Sequence, residues 1–427
     1  MGQPPSPGIS IAMRHPANES DSWPTAVPVW VGWYNTSKGA SVVWQLVTSW
    51  DDYEKQLIQH ERECCGVAEA IEQYFLNGGT RGYMMLLPKC SEDGERADWL
   101  AMQLGKESTW NNALHEDYVS LITLPLLYEC LENAQQEVTP RLMGVAPTRI
   151  AKDVADDYVR IWKAVLNATA ARPDWFFVLD MPVDLAAANT CIEQLCHSNG
   201  LGARGQHAAL YGPHLVLEDS RIAAPSGAVC GLMARVDAAE GIWKAPANEV
   251  VVGALRPLYR ENLLRNWRKT AGVEANLICN FAGRGVRIWG CRTLSMDHHS
   301  PYRYVQVRRA TTWIEYHLRA ICRFAVFEPN QLLTWLRVRT ACEAWLRRLW
   351  EAGGLMGGDE AHAFLVQVGL NETMTAADVI AGYIRIKVGI ALLHPAEFVD
   401  VHMTLIQGES VANAIGAGGS EFKMEAS

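Results

Sequence analysis

Asp174-Trp175-Phe176-Phe177-Val178-Leu179-Asp180 is an apolar run closed at both ends by an acid. A segment that is apolar at successive positions rather than alternate ones reads as a strand covered on both faces. Lys152 to Ala171 before it has the spacing of a long helix, and Leu185 to His197 after it that of another. Flanking these, Leu121-Ile122-Thr123-Leu124-Pro125 and Ala208-Ala209-Leu210-Tyr211 read as further strands. Strands that alternate with helices imply a largely parallel sheet with helices on both sides. The same grammar extends toward the amino terminus: Val27 to Trp33 and Ser41 to Thr48 as strands, Asp51 to Glu63 and Val67 to Leu76 as helices. Asn77-Gly78-Gly79 closes the second helix ahead of the buried strand Gly82 to Leu87. The expected fold class is α/β (α+β), with mixed sheets covered by helices.

Composition agrees and removes several functions. The chain has 427 residues, 49 % apolar, which is enough to bury a large core without staples. A charged fraction of 20 % with net charge −9 fits neither a disordered polyanion nor, over the whole chain, a nucleic-acid binder. No apolar stretch suits a membrane span, because even Ala377 to Pro395 contains Asp378, Arg385 and Lys387. Met1 to Ser6 lacks the basic and apolar regions of a secretory signal, so cytoplasmic synthesis without a signal peptide is expected. The 11 cysteines contain no C-x-x-C and read as reduced, mostly buried thiols. Adjacent His298 and His299, and His207 and His214 seven apart, have the wrong spacing for a zinc pair on one helix face, so no metal is expected. Sixteen Trp point to large packed surfaces, within the subunit or between subunits.

Two motifs invite an enzymatic reading. Gly200-Leu201-Gly202-Ala203-Arg204-Gly205 matches G-x-G-x-x-G, but it follows a helix and enters a strand, the reverse of a dinucleotide cradle, and reads as a helix stop and turn. Asp180 lies at the carboxyl end of a buried strand, where open α/β sheets carry catalytic carboxylates, and Asp184 follows four residues on. A capping aspartate at the strand-helix junction is the plainer role for such an acid. No Walker loop, G-x-S-x-G or H-E-x-x-H accompanies it. A soluble α/β enzyme with a carboxylate site near Asp180 is therefore the second reading, and no cofactor is expected.

The ends of the chain differ from its middle. Six prolines in the first 28 residues leave only Gly8-Ile9-Ser10-Ile11-Ala12 as a strand-like piece. Glu397 to Ile406 alternates like a strand before a Gly/Ala/Ser tail. A lone strand must join a sheet to satisfy its backbone, and that sheet can belong to another copy. Between the ends, Pro225 to Glu249 reads as a helix of small residues stopped at Gly241 and followed by a Trp-Lys-Ala-Pro loop; Asn276 to Gly290 reads as two strands around Gly283-Arg284-Gly285. Residues 251–350 hold 17 Arg and Lys against 6 Asp and Glu, although the whole chain is acidic. On the expected helix Asn330 to Glu351, Arg337, Arg339, Arg347 and Arg348 either face an acidic partner or form internal ion pairs, while Trp335, Trp345 and Trp350 have spacings suited to packing.

Ser226-Gly227-Ala228, Ala234-Arg235-Val236-Asp237, Gly241 to Asn248, Gly283-Arg284-Gly285, Trp289 to Leu294, Tyr304 to Arg309, Phe327-Glu328-Pro329-Asn330 and Pro395 to Phe398 together resemble the carboxyl-terminal half of contractile tail sheath proteins. Pro7-Gly8-Ile9 resembles the start of the same family, whereas residues from about 90 to 200 match none of its motifs. The resemblance implies a non-catalytic subunit of a phage tail, an R-type tailocin or an extracellular toxin-delivery particle. Such subunits would pack in hexameric rings, stacked helically around a rigid inner tube that contraction drives through a target envelope. The implied partners are further copies, sheath paralogues, the inner tube protein, and baseplate and tail terminator proteins, with neither nucleic acid nor membrane insertion. It also implies that Ile9 and Ile11, with Phe398, Val399 and Val401, add strands to neighbouring subunits, and that Arg337, Arg339, Arg347 and Arg348 contact the tube or a neighbour. The expected organisation is an arm over 1–26, sheath core over 27–90, a middle α/β region or insertion over 91–205, family-like core over 206–396, and a strand arm with tail over 397–427. Main shaft and single baseplate-proximal ring both remain open at this point, and the Trp- and Cys-rich composition suggests a divergent paralogue.

Overall fold

Strand β1 (Pro28–Tyr34) is buried along its entire length and sits inside the main sheet, with parallel partners on both sides. The computed structural model describes residues 25–34, 41–60, 64–65, 67–88, 96–132, 150–197, 200–264, 267, 273–297 and 299–395. Ile9, Ile11, Phe398, Val399 and Val401, the expected arm positions, lie outside the described residues. After β1 come β2 (Val43–Val47), α1 (Trp50–His60), the two-residue β3 (Cys64–Cys65), α2 (Ala68–Leu76), β4 (Gly82–Pro88), α3 (Arg96–Leu104) and the short α4 (Asn111–Leu114). Next are β5 (Leu121–Thr123), α5 (Leu126–Glu132), α6 (Ala151–Ala168), β6 (Phe176–Asp180), α7 (Leu185–His197) and β7 (Ala208–Gly212).

These strands form one nine-stranded sheet with two that come later, β11 (Asn276–Phe281) and β12 (Gly285–Trp289). Its order is β12-β11-β7-β6-β5-β1-β4-β2, with β3 pairing β1. From β11 to β4 every pairing is parallel, and β2 and β12 close the edges antiparallel. The middle region over 91–205, most of which matches no family motif, supplies the central strands β5 and β6, so the sheet is continuous only through it. Alternate strand residues feed two cores. Val29, Val31, Ile122, Phe177 and Leu179 pack with α3, α5, α6 and α7, whereas Trp30, Tyr34, Phe176, Val178 and Tyr211 pack with α2 and a later helix. A strand buried on both faces has no polar side to alternate with, which is why these strands read as continuous apolar runs.

That later helix, α8 (Ser226–Glu240), shows what its small residues are for. A Cβ on Gly227 would stand 2.2 Å from the Ala70 carbonyl oxygen, and one on Gly231 would stand 2.3 Å from that of Tyr74. Only glycine lets α8 lie this close to the backbone of α2. Gly241 ends the helix at φ 100°, as its position in the sequence predicts.

Two smaller sheets complete the described residues. β8 (Leu215–Leu217), β9 (Ile222–Ala223) and β10 (Ala254–Pro257) form a three-stranded antiparallel sheet. After α9 (Val305–Ile321), α10 (Leu332–Glu351), the short α11 (Glu360–Ala363) and α12 (Ala376–Ile380), strands β13 (Phe364–Gln367) and β14 (Lys387–Ile390) pair as a two-stranded antiparallel ribbon. A third core lies beneath it, where Trp335, Val338, Cys342, Leu346 and Leu349 form the inward stripe of α10 against Phe364, Val366 and Met374. Trp345 and Trp350 join its margin, so the tryptophans of this helix pack as their spacing suggested. Neither the small three-stranded sheet nor the ribbon was expected from sequence.

Candidate assembly surfaces

Asp180, the carboxylate behind the enzymatic reading, is fully engaged in structure. Its Oδ1 accepts the Ser226 backbone N–H at 2.7 Å and its Oδ2 accepts the Ser226 hydroxyl at 2.6 Å. It therefore caps α8, which begins 46 residues later, rather than the helix that follows it. Asp184 caps that nearer helix, accepting from the Ala187 N–H at 2.8 Å. Burial pushes the Asp180 carboxyl up to about 7, against the opposing pull of the two Ser226 hydrogen bonds. A buried carboxylate with both oxygens committed to one helix terminus has no face left for a substrate, which corrects the enzymatic alternative. The glycine-rich motif is likewise a turn, with Gly200 and Gly202 at φ 53° and 62° between α7 and β7.

The motifs behind the resemblance converge on one another. Arg309 on α9 donates to both oxygens of Asp237 on α8, at 2.5 and 3.2 Å, and also to the Thr25 carbonyl at 3.0 Å. The side chains of this pair are only 3 % and 4 % exposed, and the Thr25 hydroxyl adds a third donor to Asp237 at 2.5 Å. The pair thus fastens α8, α9 and the chain entering β1 at a single point. Asn248, at φ 60°, accepts from Arg284 at 2.9 Å and ties the Trp-Lys-Ala-Pro loop to the Gly283-Arg284-Gly285 turn. Sequence reasoning missed Glu132, a buried carboxylate that accepts from the Val183 and Asp184 N–H groups and from the Tyr158 hydroxyl. Nothing in the local pattern around Glu132 marks this role, because its partners lie 26 to 52 residues away.

The basic helix α10 carries its arginines outward, and three of the four find acids within the chain. Arg347 makes a two-pronged bond to Glu360 at 2.7 and 2.8 Å, Arg339 reaches Glu372 at 2.5 Å, and Arg337 stands 3.7 Å from Glu328. Arg348 is exposed and takes part in no ion pair among the described residues. Exposed pairs of this kind contribute little to stability and stay available for exchange.

Around these arginines the surface is unusually apolar. Phe327 is 85 % exposed at φ 69°, a left-handed backbone that β-carbon-bearing residues adopt only under constraint. Leu332, Leu333 and Leu336 on α10 and Leu365 on β13 are also exposed, and Ile380 at the end of α12 is 88 % exposed. The ribbon β13–β14 has a backbone edge on each side that no described strand pairs. An open strand edge beside exposed leucines and isoleucine is the kind of surface that another chain covers.

No family model matches the chain, and neither does any curated protein. Solved structures do match. A chain of the anti-feeding prophage (AFP) baseplate in its contracted state aligns with TM-score 0.77 and 28 % identity, covering 93 % of this chain and 98 % of that one. The PVC sheath complex of an extracellular contractile injection system, also contracted, gives TM-score 0.62 and 27 % identity over 91 % and 92 % of the two chains. Over most of its length the chain is similar to sheath proteins of contractile injection systems. The contracted AFP helical sheath aligns with this sheath protein at TM-score 0.62 and 26 % identity, covering 93 % and 99 %. The sheath protein is a structural subunit and not an enzyme. No described helix is long and apolar enough to cross a membrane.

Proposed function

We propose that this sheath subunit works at the baseplate end of the particle, as part of a ring that surrounds the inner tube. The observation that carries this reading is the TM-score of 0.77 with a chain of the contracted AFP baseplate; a chain of the six-fold symmetrised AFP baseplate, at 0.64, and the contracted AFP helical sheath, at 0.62, align less well. In this role the arms over 1–26 and 397–427 link neighbouring copies. Ile9 and Ile11, or Phe398, Val399 and Val401, add strands to the open edges of the β13–β14 ribbon. Arg337, Arg339, Arg347 and Arg348 exchange their exposed internal partners for acids of the tube or of an adjacent subunit. Sheath paralogues and the baseplate are then direct neighbours, and the particle is a phage-like tail or a released injection device. Contraction needs two packings of the same subunit, one metastable, and an interface of weak exposed ion pairs and apolar contacts can repack between them.

Gold labelling of an epitope inserted in this chain, viewed on whole particles by negative-stain microscopy, tests the placement. Label confined to the baseplate end supports it, whereas label along the entire shaft makes the subunit a main-sheath component instead.

A further inference from the structure

Cys322 and Cys342 belong to neither the sheet nor the arms. Cys322 opens the short 3-10 turn Cys322–Ala325 that ends α9, and Cys342 lies on the buried stripe of α10. Their Sγ atoms are 3.5 Å apart, in contact but unbonded. A disulfide needs about 2.05 Å between the sulfurs, so the contact must shorten for a bond to form. The two thiols are also unequal. Cys342 is fully buried, whereas Cys322 is partly exposed. The hydrogen bond between the two thiols draws the Cys322 thiol down against the opposing effect of burial, and the same bond and burial push the Cys342 thiol far up.

We propose that Cys322 and Cys342 are a covalent modification site, closed into an intramolecular disulfide by exchange with a low-molecular-weight disulfide such as oxidised glutathione. The accessible Cys322 thiolate attacks one sulfur of the reagent, forming a mixed disulfide and expelling one glutathione thiolate. Cys342 then loses its proton and attacks the Cys322 sulfur, which breaks the mixed disulfide and expels the second glutathione. The reagent takes two electrons and the two expelled thiolates take the two protons, so one oxidised glutathione yields two reduced ones. The product staples α9 to α10 across the segment that presents Phe327 and Arg337. A link of this kind restricts the unfolded chain and raises the melting temperature of the unit it closes. It would form wherever the protein leaves a reducing cytosol.

The test is a non-reducing tryptic map of the folded full-length chain after incubation with oxidised glutathione, with remaining thiols alkylated under denaturing conditions. The expected product is Ala320–Arg323 joined to Thr340–Arg347, two hydrogen masses lighter than the separate peptides and separated by dithiothreitol. Cys342→Ser should halt the reaction at glutathione on Cys322, and Cys322→Ser should leave Cys342 alkylated. Alkylation of both thiols in the oxidised wild type, a stable glutathione adduct on its Cys322, or a link from either to another cysteine would overturn the proposal. The wild-type map decides the matter even where a serine variant fails to fold.

Discussion

In the nine-stranded sheet every residue of β1, β5, β6 and β7 is buried, whereas β14 buries none of its four residues and β13 buries two. The charged groups follow the same division. Arg309 and Asp237 are sealed between α8 and α9, while the arginines of α10 meet their acids in solvent. The first region seals its ion pair within its own chain, and the second leaves Phe327, Leu332, Leu365 and Ile380 exposed. Under the proposed function the contrast divides the labour of a sheath subunit: a rigid body that keeps its shape, and a contact unit whose interactions can be remade as the lattice moves.

The sharpest way to break this contrast is at the buried ion pair. Arg309→Met strands the Asp237 carboxylate among buried groups, and urea unfolding should record a loss of roughly 3–5 kcal/mol. A loss below about 1 kcal/mol would mean that the sheet region is no better sealed than the ribbon. Next in size is Gly231→Ala, which sets a methyl against the Tyr74 carbonyl and forces α2 and α8 apart. The expected cost is about 1–3 kcal/mol by the same measurement.

A smaller effect depends on pH. His214 is 1 % exposed, neither ring nitrogen has a hydrogen-bond partner among the described residues, and burial draws its pKa down to about 3. The unfolded chain, with His near 6.5, takes up this proton first, so the stability tied to neutral His214 is full above about pH 6.5 and is lost as pH falls toward 3. Asp180 has the opposite sign. Its carboxyl lies near 7 in the fold and about 3.9 unfolded, so the fold gains from it as pH drops through that window. His214→Phe keeps the ring beside Tyr128 and should flatten the acid limb of melting temperature against pH. An unchanged acid limb would remove His214 from the account.

The smallest expected effect on stability carries the largest consequence for assembly. Ile380→Asp, on a residue 88 % exposed, should shift unfolding of the isolated chain by no more than about 0.5 kcal/mol while abolishing its incorporation into particles. Normal incorporation would show that this face is not an interface.

How much of this was legible in sequence follows the same division. Phe176 to Leu179 and Val29 to Val31 announce a doubly covered sheet because the chain itself supplies both covers. The small residues of α8 likewise signal a close approach that lies within the chain. Phe364–Gln367 and Lys387–Ile390 are only four residues each and mostly unburied, so their pattern lacks the second surface that would give it meaning. Asp180 was visible as an acid at a strand end, but its partner Ser226 lies 46 residues on, beyond any local spacing rule. Glu360 and Glu372, the partners of Arg347 and Arg339, were hidden for the same reason.

The most direct test of the central claim is a cryo-EM reconstruction of the assembled particle at side-chain resolution, read at the β13–β14 ribbon. A strand from a neighbouring subunit should extend the ribbon, with Leu365 and Ile380 covered by protein. A reconstruction in which this subunit is present with the ribbon two-stranded and both side chains in solvent would contradict it.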